Sequence, residues 1–356
     1  MIDGPKAIAA RRWIKRTAIQ SALEVVAMAH RTGLGSRNRG LGAIFTLHHV
    51  RPYESRAFDP AAHLAITPDF LEAVIISLKA AGHIPTALAD LPHQLVDEQQ
   101  SPPTMVFTLD DGYRDNLEHA LPIFERHNVP FTVFVTGGFV DRTHSIWWKT
   151  AEALLSKLDS FTFDFGSGLI TLPTRTLDQK YAAYDRLYRA ISCREQHHVV
   201  DRLDALAREN GIDPLAIVDR EVMNEADLKA LLQSPLATLG AHTISHCSMA
   251  HVTVEDLQKE IEQSALRVAA ICGERPLAFA YPYGDRCAAG QREYDAVRDS
   301  GFDLAVTTEP DVLHKEAACA IHALNRISLN GYYQKPRYVE ALASGLPFAA
   351  RNLLYG

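Results

Sequence analysis

Seven short apolar runs, at 43–47, 105–109, 131–136, 237–241, 277–281, 304–307 and 326–329, constrain the fold of this chain more than any other feature. Each gives way to polar or glycine-containing sequence, and helical patterns lie between them. Runs this short and apolar suit strands buried on both faces, as in a parallel sheet covered by helices. Strands alternating with helices in this number predict an α/β fold, a distorted (β/α)7 TIM-like barrel. The 356 residues exceed the roughly 250 typical of such barrels, leaving room for additions. The expected organisation is an N-terminal helical extension over 1–40, a barrel over 41–345 and a tail over 346–356.

The intervening helices carry start and stop signals. Thr67-Pro68 offers an N-cap and a first-turn proline, Phe70, Val74 and Leu78 follow at helical spacing, and Gly82 closes the segment. Thr253 and Asp256 form a capping pair ahead of the stripe Leu257, Ile261, Ala265, Val268 and Cys272. About a hundred residues separate the third and fourth runs, too many for an ordinary connection. Helical patterns there predict an insertion over 145–225, emerging at the C-terminal rim where barrel active sites sit. Trp147 and Trp148 within it are candidate sugar-stacking residues.

A hydrophobic fraction of 47% and a charged fraction of 22% suit a globular enzyme. The net charge of −7 argues against nucleic acid as a partner, since phosphate binding needs concentrated Lys and Arg. Cys193, Cys247, Cys272, Cys287 and Cys319 are odd in number and contain no CxxC pair, which favours free thiols in a reducing compartment. The N-terminal stretch from Arg11 resembles an export signal superficially, but Gln20 and Glu24 interrupt it and no small-residue cleavage pattern follows. It is also too short to span a bilayer. The expectation is cytoplasmic action, with this basic, loosely amphipathic helix packed on the barrel or making peripheral contact with the inner membrane.

Three elements can carry chemistry. Asp110-Asp111-Gly112 follows the second run, and adjacent aspartates on a strand end point in different directions, so one can bind a metal while the other meets a water. His242 and His246 follow the fourth run, and on a helical turn that spacing converges two nitrogens on one cation. In Tyr281-Pro282-Tyr283-Gly284 the fifth run breaks at a proline and a glycine, turning backbone N–H groups toward a ligand as an oxyanion donor requires.

Taken together and in this order, the three elements resemble the polysaccharide deacetylase family, carbohydrate esterase family 4, also called the nodulation-protein-B homology domain. Supporting matches are Phe131-Thr132-Val133-Phe134, Leu239-Gly240-Ala241 leading into His242, and the helix carrying Glu260 and Ile261. The resemblance implies that Asp111, His242 and His246 bind a divalent ion, commonly Zn2+. It further implies that Asp110 is the general base, that the Tyr283 backbone N–H holds the oxyanion, and that Tyr281, Pro282 and Tyr283 line the substrate site. The implied reaction removes an N-acetyl group from an amino-sugar glycan or glycan precursor, giving acetate and a free amine.

The chain departs from the family pattern in two places. Ala280 stands where an arginine usually orients the catalytic aspartate, and Arg326, opening the last run, is the candidate replacement. The late motif that supplies a histidine acid is not recognisable, and His322 lacks its context. However, Phe45-Thr46-Leu47-His48-His49-Val50 resembles the opening strand of circularly permuted poly-N-acetylglucosamine deacetylases. That makes His48 the expected acid for the leaving amine, with His49 second. The competing readings are another metal-dependent hydrolase of C–N bonds on the same barrel, or a sugar-binding descendant that has lost catalysis.

Overall fold

A computed structural model describes residues 5–33, 38–96, 102–192 and 196–355. All seven expected strands form: β1 (Gly42–Leu47), β2 (Thr104–Leu109), β3 (Phe131–Val135), β4 (Ala237–Ala241), β5 (Ala278–Ala280), β6 (Leu304–Val306) and β7 (Ile327–Ser328). They pair in parallel in the order β6-β5-β4-β3-β2-β1-β7, and the short segment Ile84–Pro85 adds to β2. The last strand therefore returns beside the first, and a parallel bridge between Val306 and Leu324 spans the remaining gap. The fold is the (β/α)7 barrel. Its interior is filled by Ile44, Val106, Phe134, Ala280, Leu304 and Val306, all fully buried. Register aligns the strand ends, with Leu47 opposite Leu109 and Val135 opposite Ala241, so the residues just beyond them share one rim.

The helices obey their sequence signals. In α1 (Pro5–Arg31), Arg12 pairs with Asp185, and its guanidinium lies 4.4 Å from the Tyr181 ring centre. The Thr67 hydroxyl caps α2 (Pro68–Ala80) by accepting from the Phe70 N–H. Between β3 and β4 come α3 (Trp147–Lys157), α4 (Leu177–Ser192) and further helices, together with a feature the helical reading did not include. Ser160–Asp164 and Leu169–Pro173 form an antiparallel hairpin. There Phe161 and Phe163 alternate with Thr162 and are buried, the period-two signature of a strand. Beyond β4, α5 (Val254–Cys272) begins at the Thr253 cap and ends at Gly273, whose φ of 85° places it in the left-handed region favoured at helix ends. In α6 (Pro336–Ala343), Tyr338 and Ala341 pack on Ala27 of α1. The tail is a further helix, Leu346–Tyr355.

Of the cysteines, Cys247 is buried in the main core, Cys272 is half-buried, Cys287 and Cys319 are exposed, and all four are free thiols. Cys193 lies outside the described residues. No helix among the described residues is long and apolar enough to cross a membrane.

Candidate metal-dependent active site

Asp110 and Asp111 leave the end of β2 in opposite senses because Asp111 adopts φ 72°. Asp110 turns inward. Both of its oxygens accept from the Arg326 guanidinium, Nη1 to Oδ1 and Nη2 to Oδ2, at 2.8 Å each. Arg326 is fully buried just before β7, and it also donates from Nε to the Thr307 carbonyl (2.7 Å) and from Nη1 to the Thr108 hydroxyl (3.1 Å). This two-pronged geometry is the one a guanidinium prefers with a carboxylate. Burial alone would push the Asp110 pKa up, but Arg326 overrides it and holds the carboxyl below the usual range. An arginine from the last strand thus reaches the aspartate in a chain that has alanine at 280.

Asp111 turns the other way. Its Oδ1 lies 3.6 Å from His242 Nε2 and 3.3 Å from His246 Nε2, and the three ligand atoms lie within 4.8 Å of one another. The histidines do not sit on a helical turn as their spacing suggested. They flank an irregular loop in which Thr243 and His246 have φ of 60° and 56°. Glu260 of α5 holds that loop, accepting from the N–H groups of Ile244 (2.8 Å) and Ser245 (3.0 Å) and from the Ser245 hydroxyl (2.7 Å). His242 Nδ1 donates to the Ala280 carbonyl at 2.7 Å, which leaves the Nε2 lone pair facing the cluster. Both imidazoles are held neutral chiefly by burial.

These donors fit a divalent ion. Asp111 Oδ1 is buried without a hydrogen-bond partner, an expensive state for a carboxylate oxygen. Burial, then the neighbouring Asp110 charge, pushes its carboxyl up to about 8. A cation beside Asp111 would satisfy the oxygen and favour the ionised form, and one carboxylate with two neutral imidazoles is a common zinc set.

His48 stands across from the base, its Nε2 4.0 Å from Asp110 Oδ2. Burial, outweighing the attraction of Asp110, lowers its pKa to about 3, so it rests uncharged. Asn116 fixes it by donating to its carbonyl at 2.7 Å. His49 points elsewhere. Its Nδ1 donates to Asp115 at 2.6 Å, and its ring stacks on Tyr113, which is a packing role. His322 is also remote, bonded to the Phe302 carbonyl.

Tyr283 sits over the cluster, its ring centre 5.0 Å from that of His246, in a turn with φ 61°. Tyr281 does not line a substrate site as expected. Its ring is fully buried between Phe279 and Tyr294, and its hydroxyl donates to the His322 carbonyl. Pro282 is likewise buried. The two indoles are not open sugar platforms either, with 2% and 5% of Trp147 and Trp148 exposed. Trp147 Nε1 donates to the Tyr283 hydroxyl (2.9 Å) and Trp148 Nε1 to the Tyr113 hydroxyl (3.1 Å), so both serve as walls that clamp site residues. Sequence reasoning did not assign Tyr113, Asn116 or the loop-holding role of Glu260. Tyr113 directly follows the Asp-Asp-Gly turn and Asn116 comes three residues later, and that nearness was the available signal.

Comparison with known proteins gives the family. The model of the family "Polysaccharide deacetylase" matches residues 97–303, more than half of the chain. The chain belongs to the polysaccharide deacetylase family. It is accordingly a carbohydrate de-N-acetylase, a hydrolase of carbon–nitrogen bonds. The matched segment contains Asp110, Asp111, His242, His246 and Tyr283, whereas His48 and Arg326 lie outside it. Among solved structures, the chain is similar to the Streptococcus pyogenes deacetylase PplD in complex with acetate (TM-score 0.55, 14% identity, 85% of this chain and 97% of that one). It is also similar to IcaB from Ammonifex degensii (0.52, 17%, 84% and 96%) and to BC0361, a polysaccharide deacetylase from Bacillus cereus (0.52, 14%, 84% and 68%). These likenesses concern the fold. No curated protein matches.

Proposed function

We propose that this deacetylase hydrolyses the N-acetyl group of an amino sugar in a polysaccharide, oligosaccharide or glycan precursor, with a divalent ion, Zn2+ first among candidates, held by Asp111, His242 and His246. The observation that carries this reading is the partition of two adjacent aspartates. Asp110 is locked in a buried ion pair with Arg326, while Asp111 offers a bare oxygen beside two imidazole nitrogens.

When bound, such an ion lowers the pKa of water and polarises a carbonyl. The chain's own residues do the rest. Asp110, kept ionised and aimed by Arg326, accepts the proton of the attacking water. The backbone N–H of Tyr283 donates to the oxyanion as the carbonyl carbon becomes tetrahedral. His48 rests uncharged, so it must collect a proton before it can deliver one, and Asp110, 4.0 Å away, is the nearby source. Its Nε2 then protonates the departing amine. The resemblance of 45–50 to the permuted subgroup supports His48 in that role.

The decisive experiment measures acetate release from N-acetylated oligosaccharides and from nucleotide- and lipid-linked amino sugars, with chelator and with added zinc. Release that chelator abolishes and zinc restores is expected. Chelator-resistant release would remove the metal from the proposal, and no release from any substrate by the zinc-loaded protein would overturn it. His48→Ala should reduce turnover without loss of bound zinc; near-normal turnover would dismiss it as the acid.

A further inference from the structure

We propose that the outer face of α1 is a docking surface for an anionic phospholipid bilayer. The helix has two unlike sides. Leu23 and Ala27 face the body of the protein, with Arg12 tied to Asp185 of α4 and Arg16 lying 3.7 Å from the Tyr332 ring centre. Opposite them runs a line recurring three and four residues apart, Ile14, Ala18, Ser21, Val25 and Met28, every member of it exposed. Ile14 is 57% exposed, Val25 68%, Met28 71%, and Trp13 beside them 69%. Five of the fourteen large hydrophobic side chains exposed among the described residues stand on this one helix. An exposed line of that kind, apolar at Ile14, Ala18, Val25 and Met28 and interrupted only by Ser21, marks an interaction face rather than ordinary surface.

Charge selects the occupant. Within Pro5–Arg31 there are six Lys or Arg and one acidic residue, a net of plus five in a chain whose total is −7. The single acid, Glu24, is already neutralised by Lys335 and Arg337. Arg11 and Lys15 are exposed and flank the apolar line at helical spacing, where they would meet lipid headgroups as the apolar line enters the headgroup boundary. A second copy packed α1 against α1 would instead bring these cations against their own kind.

The placement bears on the reaction. Arg12 grips α4 at Asp185, and one turn further along α4 Tyr188 meets the Tyr283 ring. A bilayer seated on the outer face of α1 would therefore be separated from this wall of the active site by α1 itself.

The test is co-sedimentation of the full chain with vesicles of phosphatidylcholine alone and of phosphatidylcholine mixed with phosphatidylglycerol. Binding to the mixed vesicles alone, reversed by salt, is expected. Arg11→Ala with Lys15→Ala should lower the partition coefficient roughly 25-fold, about fivefold per cation. Ile14→Ser with Val25→Ser and Met28→Ser should abolish binding, and circular dichroism melting should confirm that both variants stay folded. Trp13 emission should shift to the blue on mixed vesicles, a change that Trp13→Phe removes. Absence of binding, or equal binding to neutral vesicles, overturns the proposal. So does a concentration-dependent dimer that the serine variant dissociates while vesicles leave the chain in solution.

Discussion

Arg326 carries the largest testable consequence of any single residue. Removing it leaves Asp110 buried without a counter-charge, a loss of about 3–5 kcal/mol for a broken buried pair, so Arg326→Ala should melt well below the parent. The pH response should also change sign. In the parent, the depressed Asp110 pKa means that the pair's contribution is complete above about pH 4 and fades as pH falls toward the folded-state value. In the variant burial dominates, the pKa rises, and stability should recover as acid neutralises the stranded carboxylate. The acid limb of the rate profile should move to higher pH; an unchanged profile and turnover would sink the assignment of Arg326 to Asp110. Glu260 gives a second prediction. Glu260→Gln puts an amide against the N–H groups of Ile244 and Ser245, which should loosen the histidine loop and weaken zinc binding roughly 10–100-fold, read by competition with a chromophoric chelator. The ligand and base candidates were legible because acidic and imidazole side chains at strand ends announce themselves by type and position. Glu260 was not, because an acid on a helix reads as a solvated face until the loop it caps is seen. The left-handed backbone at Asp111, Thr243, His246 and Tyr283 had no sequence sign either, since glycine is the usual marker of that conformation.

At the level of elements, all seven strands were readable from short apolar runs, and helix starts from their caps. The hairpin at 160–173 was hidden because its alternation, Phe161 and Phe163 in and Thr162 out, is brief and lies between helical stretches whose period dominates. The two indoles were misread for a related reason. Paired tryptophans near a rim look like sugar platforms, but their N–H groups found tyrosine hydroxyls and turned the rings inward. The attachment of α1 gives an element-scale prediction. Hydrogen bonds from Arg337, Lys335 and Tyr338 lower the Glu24 pKa to about 2. The folded-state value is the depressed one, so this anchor is complete above about pH 4.5 and lost as pH falls toward 2. Glu24→Gln should therefore speed amide exchange in α1 at neutral pH while β1 to β3 stay protected. Uniform protection across both would show that Glu24 does not fasten the helix.

For the whole molecule, the ion proposed at Asp111, His242 and His246 would tie β2 to β4 through side chains that the unfolded chain cannot assemble. The melting temperature should rise with zinc, by an amount equivalent to about 2.7 kcal/mol at a hundredfold excess over the dissociation constant. Asp111→Asn should flatten that response without altering the metal-free melt by a comparable amount; an equal response in both proteins would place the ion elsewhere. The closing strand has a consequence in time as well as in space. Asp110 and its guanidinium are 216 positions apart, and the residue that readies the base arrives immediately before β7, after the other six strands have been made. During synthesis, a nascent chain could complete six strands and gather all three ligand candidates while its base still lacked its counter-charge. Chains released after residue 325 would span the whole family-matched segment yet remain inert, so deacetylation would begin only once the barrel is finished.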